Sequence, residues 1–87
     1  MLRVLLHPKA KKELLHLPKT VRLKVLDAIA ELEKVNHPLQ HRNVLKLSGR
    51  GREDFRLRFG SYRVKFTVRN VHDVLITHIE HRQAGYL

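Results

Sequence analysis

Residues 55–69 read Phe-Arg-Leu-Arg-Phe-Gly-Ser-Tyr-Arg-Val-Lys-Phe-Thr-Val-Arg, two alternating runs on either side of a Gly-Ser pair. Successive strand residues point to opposite faces. Phe55, Leu57, Phe59, Tyr62, Val64, Phe66 and Val68 therefore share one side, and Arg56, Arg58, Arg63, Lys65 and Arg69 share the other. Gly followed by Ser suits a two-residue primed turn, which sets Phe59 opposite Tyr62, Arg58 opposite Arg63 and Arg56 opposite Lys65. Like charges facing each other across a ladder cost a few tenths to about 1 kcal/mol per pair. A polyanion bound to that face reverses the sign of this cost.

Elements on either side of the hairpin complete one fold. Residues 2–6 are short and apolar, as in an opening strand buried on both faces, and Pro8 suits a first helical position. A helix over residues 8–17 carries Ala10, Leu14 and Leu17 on one stripe, and Pro18 stops it. Thr20 is the expected N-cap of a second helix reaching about residue 36, with Val21, Val25, Ala28, Ile29, Leu32 and Val35 inward. Residues 38–43 read as irregular, and residues 44–47 as a short strand or an extended lead-in. Ser48-Gly49-Arg50-Gly51-Arg52 is a basic loop. A last strand over residues 73–81, apolar on both faces, is a central strand. The predicted class is α+β: a two-helix hairpin packed on a four-stranded, mainly antiparallel sheet in the order β-α-α-β-β-β.

The 87 residues amount to a single domain, 1–87. Lys and Arg number 18 against 8 Asp and Glu, a formal charge of +10, and the pI is near 10.7. Such a balance points to an anionic partner, nucleic acid first. Apolar runs are too short to span a membrane, and Arg3, His7 and Lys9 interrupt the N-terminus before a signal-peptide core develops, so no membrane partner and a cytoplasmic location are expected. The absence of cysteine excludes disulfides, thiolate metal sites and a cysteine nucleophile. His37 and His41 have the separation of some metal ligands, but Pro38 breaks the helix that would align them; neither metal nor cofactor is expected.

The element order, with Gly60-Ser61-Tyr62-Arg63-Val64 and the ending Ile79-Glu80-His81-Arg82-Gln83-Ala84-Gly85-Tyr86, resembles the RelE toxin family of the RelE/ParE superfamily. His7-Pro8-Lys9-Ala10 with Leu17-Pro18 is similar to that family's first helix, and Leu45-Lys46-Leu47-Ser48-Gly49 to its pre-hairpin segment. The resemblance implies a RelE-like fold and a toxin that cleaves mRNA in the ribosomal decoding site. It also implies partners: the ribosome with its mRNA and ribosomal RNA, and an acidic, RelB-like cognate antitoxin that neutralises the toxin in a hetero-oligomer. By position, the family's strand cations fall on Arg56 and Arg58, its phosphate-contacting arginine on Arg63, its C-terminal catalytic arginine on Arg82 and its stacking tyrosine on Tyr86. Arg56 and Arg58 stand where the well-studied pattern has lysines, and a guanidinium that stays protonated is a poor general base.

Metal-independent cleavage of RNA by its own 2′-hydroxyl requires stabilisation of phosphorane charge, removal of a proton from the nucleophile and protonation of the leaving 5′ oxygen. Arg63, with Arg56 and Arg58, suits the first task; Arg82 is the candidate donor to the leaving oxygen. His81 titrates in the useful range, but strict alternation puts it on the core side with Ile79 unless the strand ends or bulges at Glu80. Arg50, Arg52, Lys46 and Lys65 are candidate RNA contacts. The plain alternative for all these cations is a solvated sheet face. Two further functions stay open: a non-enzymatic, ParE-like inhibitor of DNA gyrase, and an RNA-binding module without catalysis.

Overall fold

A computed structural model of the chain describes residues 1–47 and 54–81. In chain order the elements are β1 (Arg3–Leu6), α1 (Pro8–Leu15), α2 (Lys19–Lys34), a 3₁₀ turn (Pro38–Gln40), β2 (Val44–Lys46), β3 (Asp54–Phe59), β4 (Tyr62–Arg69) and β5 (Asp73–His81). The strands form one sheet in the order β1-β5-β4-β3-β2. β1 runs parallel to β5, while every other neighbouring pair is antiparallel. A parallel pair needs a long crossover, and α1 and α2 lie on the route from β1 back into the sheet.

The hairpin has the expected register, Phe59 opposite Tyr62, Arg58 opposite Arg63 and Arg56 opposite Lys65. Gly60 has φ +53 and Ser61 does not share the positive φ, the pattern of a type II′ turn, in which glycine takes the first central position. Phe55, Leu57, Val64 and Phe66 are buried and join Val74, Ile76 and Ile79 of β5. Phe55 and Phe66, register partners, stack with centroids 5.5 Å apart. The helices close this side with Ala10 and Leu14 of α1 and Val25, Ala28, Ile29 and Leu32 of α2. Each fully buried large side chain contributes about 1.5–3 kcal/mol of transfer free energy. No described helix covers the opposite face, which carries the cations.

Five local expectations change. The sheet has five strands, because residues 44–46 pair with Phe55, Arg56 and Leu57 instead of merely leading in. β1 is an edge strand, so Leu5, on the open face opposite Leu75, is 46% exposed and only one side of the strand is covered. α1 ends at Leu15, because the residue before a proline resists helical geometry and Pro18 thereby shortens the last turn. α2 starts at Lys19 with Pro18 as its N-cap; the Pro18 carbonyl accepts from Arg22 N at 2.9 Å, leaving Thr20 inside the helix. The second helix also ends at Lys34, with Val35 already extended.

β5 contains one irregularity that sets the site. Lys65 pairs with His78 and Phe66 with Ile76, leaving Thr77 as an extra residue. This bulge lets Ile76 and Ile79, three apart, both enter the core. It also brings Glu80 opposite Arg63 on the open face and His81 opposite Tyr62 on the core side. Glu13 of α1 supports the strand where β1 has ended, its Oε1 accepting from Ile79 N at 3.1 Å.

Candidate nucleic-acid interface

The hairpin fixes two facing cation pairs on a rigid ladder, Arg58 with Arg63 and Arg56 with Lys65. Directly opposed residues have Cβ atoms about 4.5–5.5 Å apart, so the four side chains form one patch. The Glu80 carboxylate enters it. Lys65 Nζ meets Glu80 Oε1 at 2.8 Å, and Glu80 stands opposite Arg63 in register. The hydrogen bond from Lys65 holds the Glu80 carboxyl below its ordinary value; partial burial opposes this, and the charges of Lys65, Arg63 and His78 reinforce it. Glu80 offsets part of the positive charge of these four side chains. Arg56 Nε is buried and makes no hydrogen bond among the described residues, while Arg58 is exposed at the strand end, its backbone N–H donating to Asn43 O at 3.0 Å.

Along β4 the same face continues through Lys65 and Thr67 to Arg69. Beside these residues lies a groove of about 710 Å³, whose polar lining includes Asp54, Lys65, Thr67, Arg69, Thr77 and His78. The bulge shapes it. Thr77 Oγ1 donates to Lys65 O at 3.3 Å, and His78 Nδ1 lies 3.1 Å from Thr77 Oγ1.

The strand register places two of the candidate residues off the arginine face. His81 belongs to the core-side row, where its ring meets Tyr62 edge-on at 4.9 Å, so the described backbone does not bring it to the arginine patch. The bulge sits at Thr77, too early to turn His81 over. Lys46 pairs with Phe55, which places it on the helix side of edge strand β2, away from Arg56. Arg50, Arg52, Arg82 and Tyr86 lie outside the described residues. Sequence reasoning passed over Glu80 as a partner of the patch and His78 as a member of the open face. The signal for both was the three-residue separation of Ile76 and Ile79, which strict alternation cannot satisfy.

The histidines weighed as metal ligands act as backbone caps. His37 Nδ1 accepts from Leu39 N at 3.1 Å, and His41 Nδ1 accepts from Asn43 N at 3.1 Å with its Nε2 3.3 Å from Glu31 Oε2. Among the described residues no group of three or more His, Asp or Glu side chains converges as a metal site. No described helix is long and apolar enough to cross a membrane.

Comparison with known proteins gives the arrangement a family. Residues 4–86 match the family model described as ParE toxin of type II toxin-antitoxin system. No curated protein matches the chain. Among solved structures, the archaeal RelE-RelB complex from Pyrococcus horikoshii OT3 has a chain 31% identical, with 93% of this chain and 94% of that one covered and a TM-score of 0.77. The RelB-RelE antitoxin-toxin complex from Methanococcus jannaschii is 23% identical over 94% of each chain, TM-score 0.77. The isolated E. coli RelE toxin is 20% identical over 93% of this chain and 84% of that one, TM-score 0.75. These last two show the shared fold. With nearly its whole length inside the family model and a RelE chain above 30% identity, the protein belongs to the RelE/ParE superfamily of type II toxin-antitoxin toxins.

Proposed function

We propose that this toxin is a ribosome-dependent endoribonuclease that cleaves mRNA in the decoding site and so inhibits translation. The observation that carries the reading is the pair of facing cation pairs, Arg58 with Arg63 and Arg56 with Lys65, with the Glu80 carboxylate paired to Lys65. The ribose 2′-oxygen bonds to the adjacent phosphorus while the bond to the 5′ oxygen breaks; a proton leaves the 2′-hydroxyl and another reaches the 5′ oxygen. Arg63 forks the phosphate oxygens, and Arg56 and Arg58 add field to the phosphorane charge. Arg82 serves as donor to the leaving oxygen, and Tyr86 stacks on a base, worth about 1–3 kcal/mol. Arg50 and Arg52, which precede β3 in the sequence, add phosphate contacts. His81 packs edge-on against Tyr62 from the core side.

The ribosome supplies what the chain lacks. An arginine-rich site has no good general base, so most of its advantage comes from a substrate held and splayed in position, and positioning alone supplies about 7–11 kcal/mol in the best cases. The reading places the toxin in the cytoplasm. Its partner is an acidic, RelB-like antitoxin forming a hetero-oligomer, supported by relatives solved as RelE-RelB complexes and by the surplus charge on the open face.

The test is addition of purified protein to translating ribosomes with mapping of mRNA 5′ ends; new ends within translated frames are expected, and unchanged transcripts refute the reading. The family model carries the ParE name, and the second reading is therefore the ParE-like one implied by the resemblance, inhibition of DNA gyrase. Lost supercoiling activity with intact mRNA selects it.

A further inference from the structure

The arginine patch occupies only the turn end of the open face, and the groove beyond it remains unassigned. Lys65 is the border: across one ladder it faces Arg56, and across the other it faces His78. From it β4 runs on through Thr67 to Arg69. Alternate residues of an antiparallel strand repeat every ~6.8 Å, so Arg63, Lys65 and Arg69 present cations at steps commensurate with successive phosphates of an extended single strand. Between Lys65 and Arg69 the row drops to the Thr67 hydroxyl, and there the groove opens, about 710 Å³ in volume. Pockets of roughly 300–1,000 Å³ hold small ligands, so one nucleoside fits with room to spare.

The lining has the chemistry of base-edge recognition. Asp54, opposite Thr67 in register, offers carboxylate acceptors to an exocyclic amino group. Thr77 and His78 are both turned to this side by the bulge, and Thr77 Oγ1 fixes the imidazole through Nδ1. His78 Nε2 makes no hydrogen bond to a described residue. A strand without the extra residue would present only one of these two side chains here.

We infer that this groove is a nucleotide subsite: it takes the base of a nucleotide next to the cleaved step of single-stranded RNA, with Arg69 on a neighbouring phosphate and Asp54, Thr77 and His78 on the base edge. The inference rests on the endoribonuclease reading for the word "cleaved" but not for the binding itself. It assigns base preference to the β4–β5 half of the face and phosphate chemistry to the hairpin half.

The experiment uses the full chain and short single-stranded RNAs carrying either 4-thiouridine or 6-thioguanosine, the latter keeping an exocyclic amino group, at each position in turn, irradiated and analysed by mass spectrometry for the cross-linked residue. Adducts on residues 67, 77 or 78 are expected. Asp54→Asn and His78→Ala should each redistribute cross-linking among bases, and Arg69→Ala should lower the salt slope of binding by roughly 0.7, the value for one single-strand phosphate. Adducts confined to the hairpin, failure of the RNA to bind, or an unchanged base distribution in both Asp54→Asn and His78→Ala overturns the subsite. Groove adducts without cleavage on ribosomes leave the subsite standing and remove the endoribonuclease reading. Cleavage on ribosomes with none of these adducts does the reverse.

Discussion

Lys65 Nζ lies 2.8 Å from Glu80 Oε1, a contact that exists because the bulge at Thr77 turns Glu80 toward the cations of the hairpin. The carboxylate relieves part of the repulsion between Arg56, Arg58, Arg63 and Lys65 while leaving the face positive. A stable apo fold and an anion-hungry surface thus coexist on one ladder.

The Glu80 carboxyl is held below its ordinary value by the Lys65 hydrogen bond, aided by nearby positive charge. A group depressed in the folded state contributes stability that is present above its unfolded value and is lost as pH falls through the folded one. Glu80→Gln should therefore flatten the acid limb of stability against pH and cost about 0.5–1 kcal/mol at neutral pH, since the pair is partly solvated. The same variant should bind single-stranded RNA more tightly. Denaturation across acid pH, with RNA binding at fixed salt, checks both; an unchanged acid limb contradicts the pairing.

Arg56→Ala and Arg63→Ala should each weaken RNA binding and lower its salt slope by roughly 0.7, if each removes one phosphate contact. Circular dichroism and thermal unfolding should stay close to the parent, because both side chains stand on the open face. Loss of the fold in either variant would move these arginines from the site to the scaffold.

Gly60 has φ +53 and nothing within 4 Å of where a Cβ would sit. Gly60→Ala should therefore cost about 1 kcal/mol through conformation alone. Val71 is the converse case, a β-branched residue at φ 67 on an exposed turn. Val71→Gly should stabilise by roughly 0.5–1 kcal/mol. Urea denaturation of both variants measures the two effects, and equal stability for all three proteins would contradict the backbone argument.

Phe55 is 1% exposed and stacked on Phe66 at the centre of the sheet's covered face. Phe55→Ala should destabilise by about 3–5 kcal/mol, enough to leave much of the chain unfolded at 37 °C. Thermal unfolding measures it, and a cost below about 1 kcal/mol would mean the core lies elsewhere.

The hairpin was legible because alternation repeats over two whole strands and Gly-Ser fixes the turn; its register followed without tertiary information. The inward stripes of both helices were legible for the same reason, with a period of 3.6 residues. Helix ends were less so, because Pro18 serves at once as stop for α1 and cap for α2, and the nearby Thr20 offers a competing cap. β2 was ambiguous since three residues carry too little pattern to separate a strand from a lead-in. The bulge decided the rest. Thr77 and His78 are both polar enough for an open face, so composition hid which residue was extra, and a one-residue slip exchanges the faces of Glu80 and His81.

The central claim is that the open-face arginines act on ribosome-held mRNA. Its most direct measurement is the single-turnover rate of mRNA cleavage on programmed ribosomes for the parent protein and for folded Arg63→Ala. Cleavage by the parent and a loss of about a hundredfold or more in the variant is the predicted result, the scale expected when one preorganised charge-stabilising group is removed. Equal rates for the two proteins, or no cleavage by either, would contradict it.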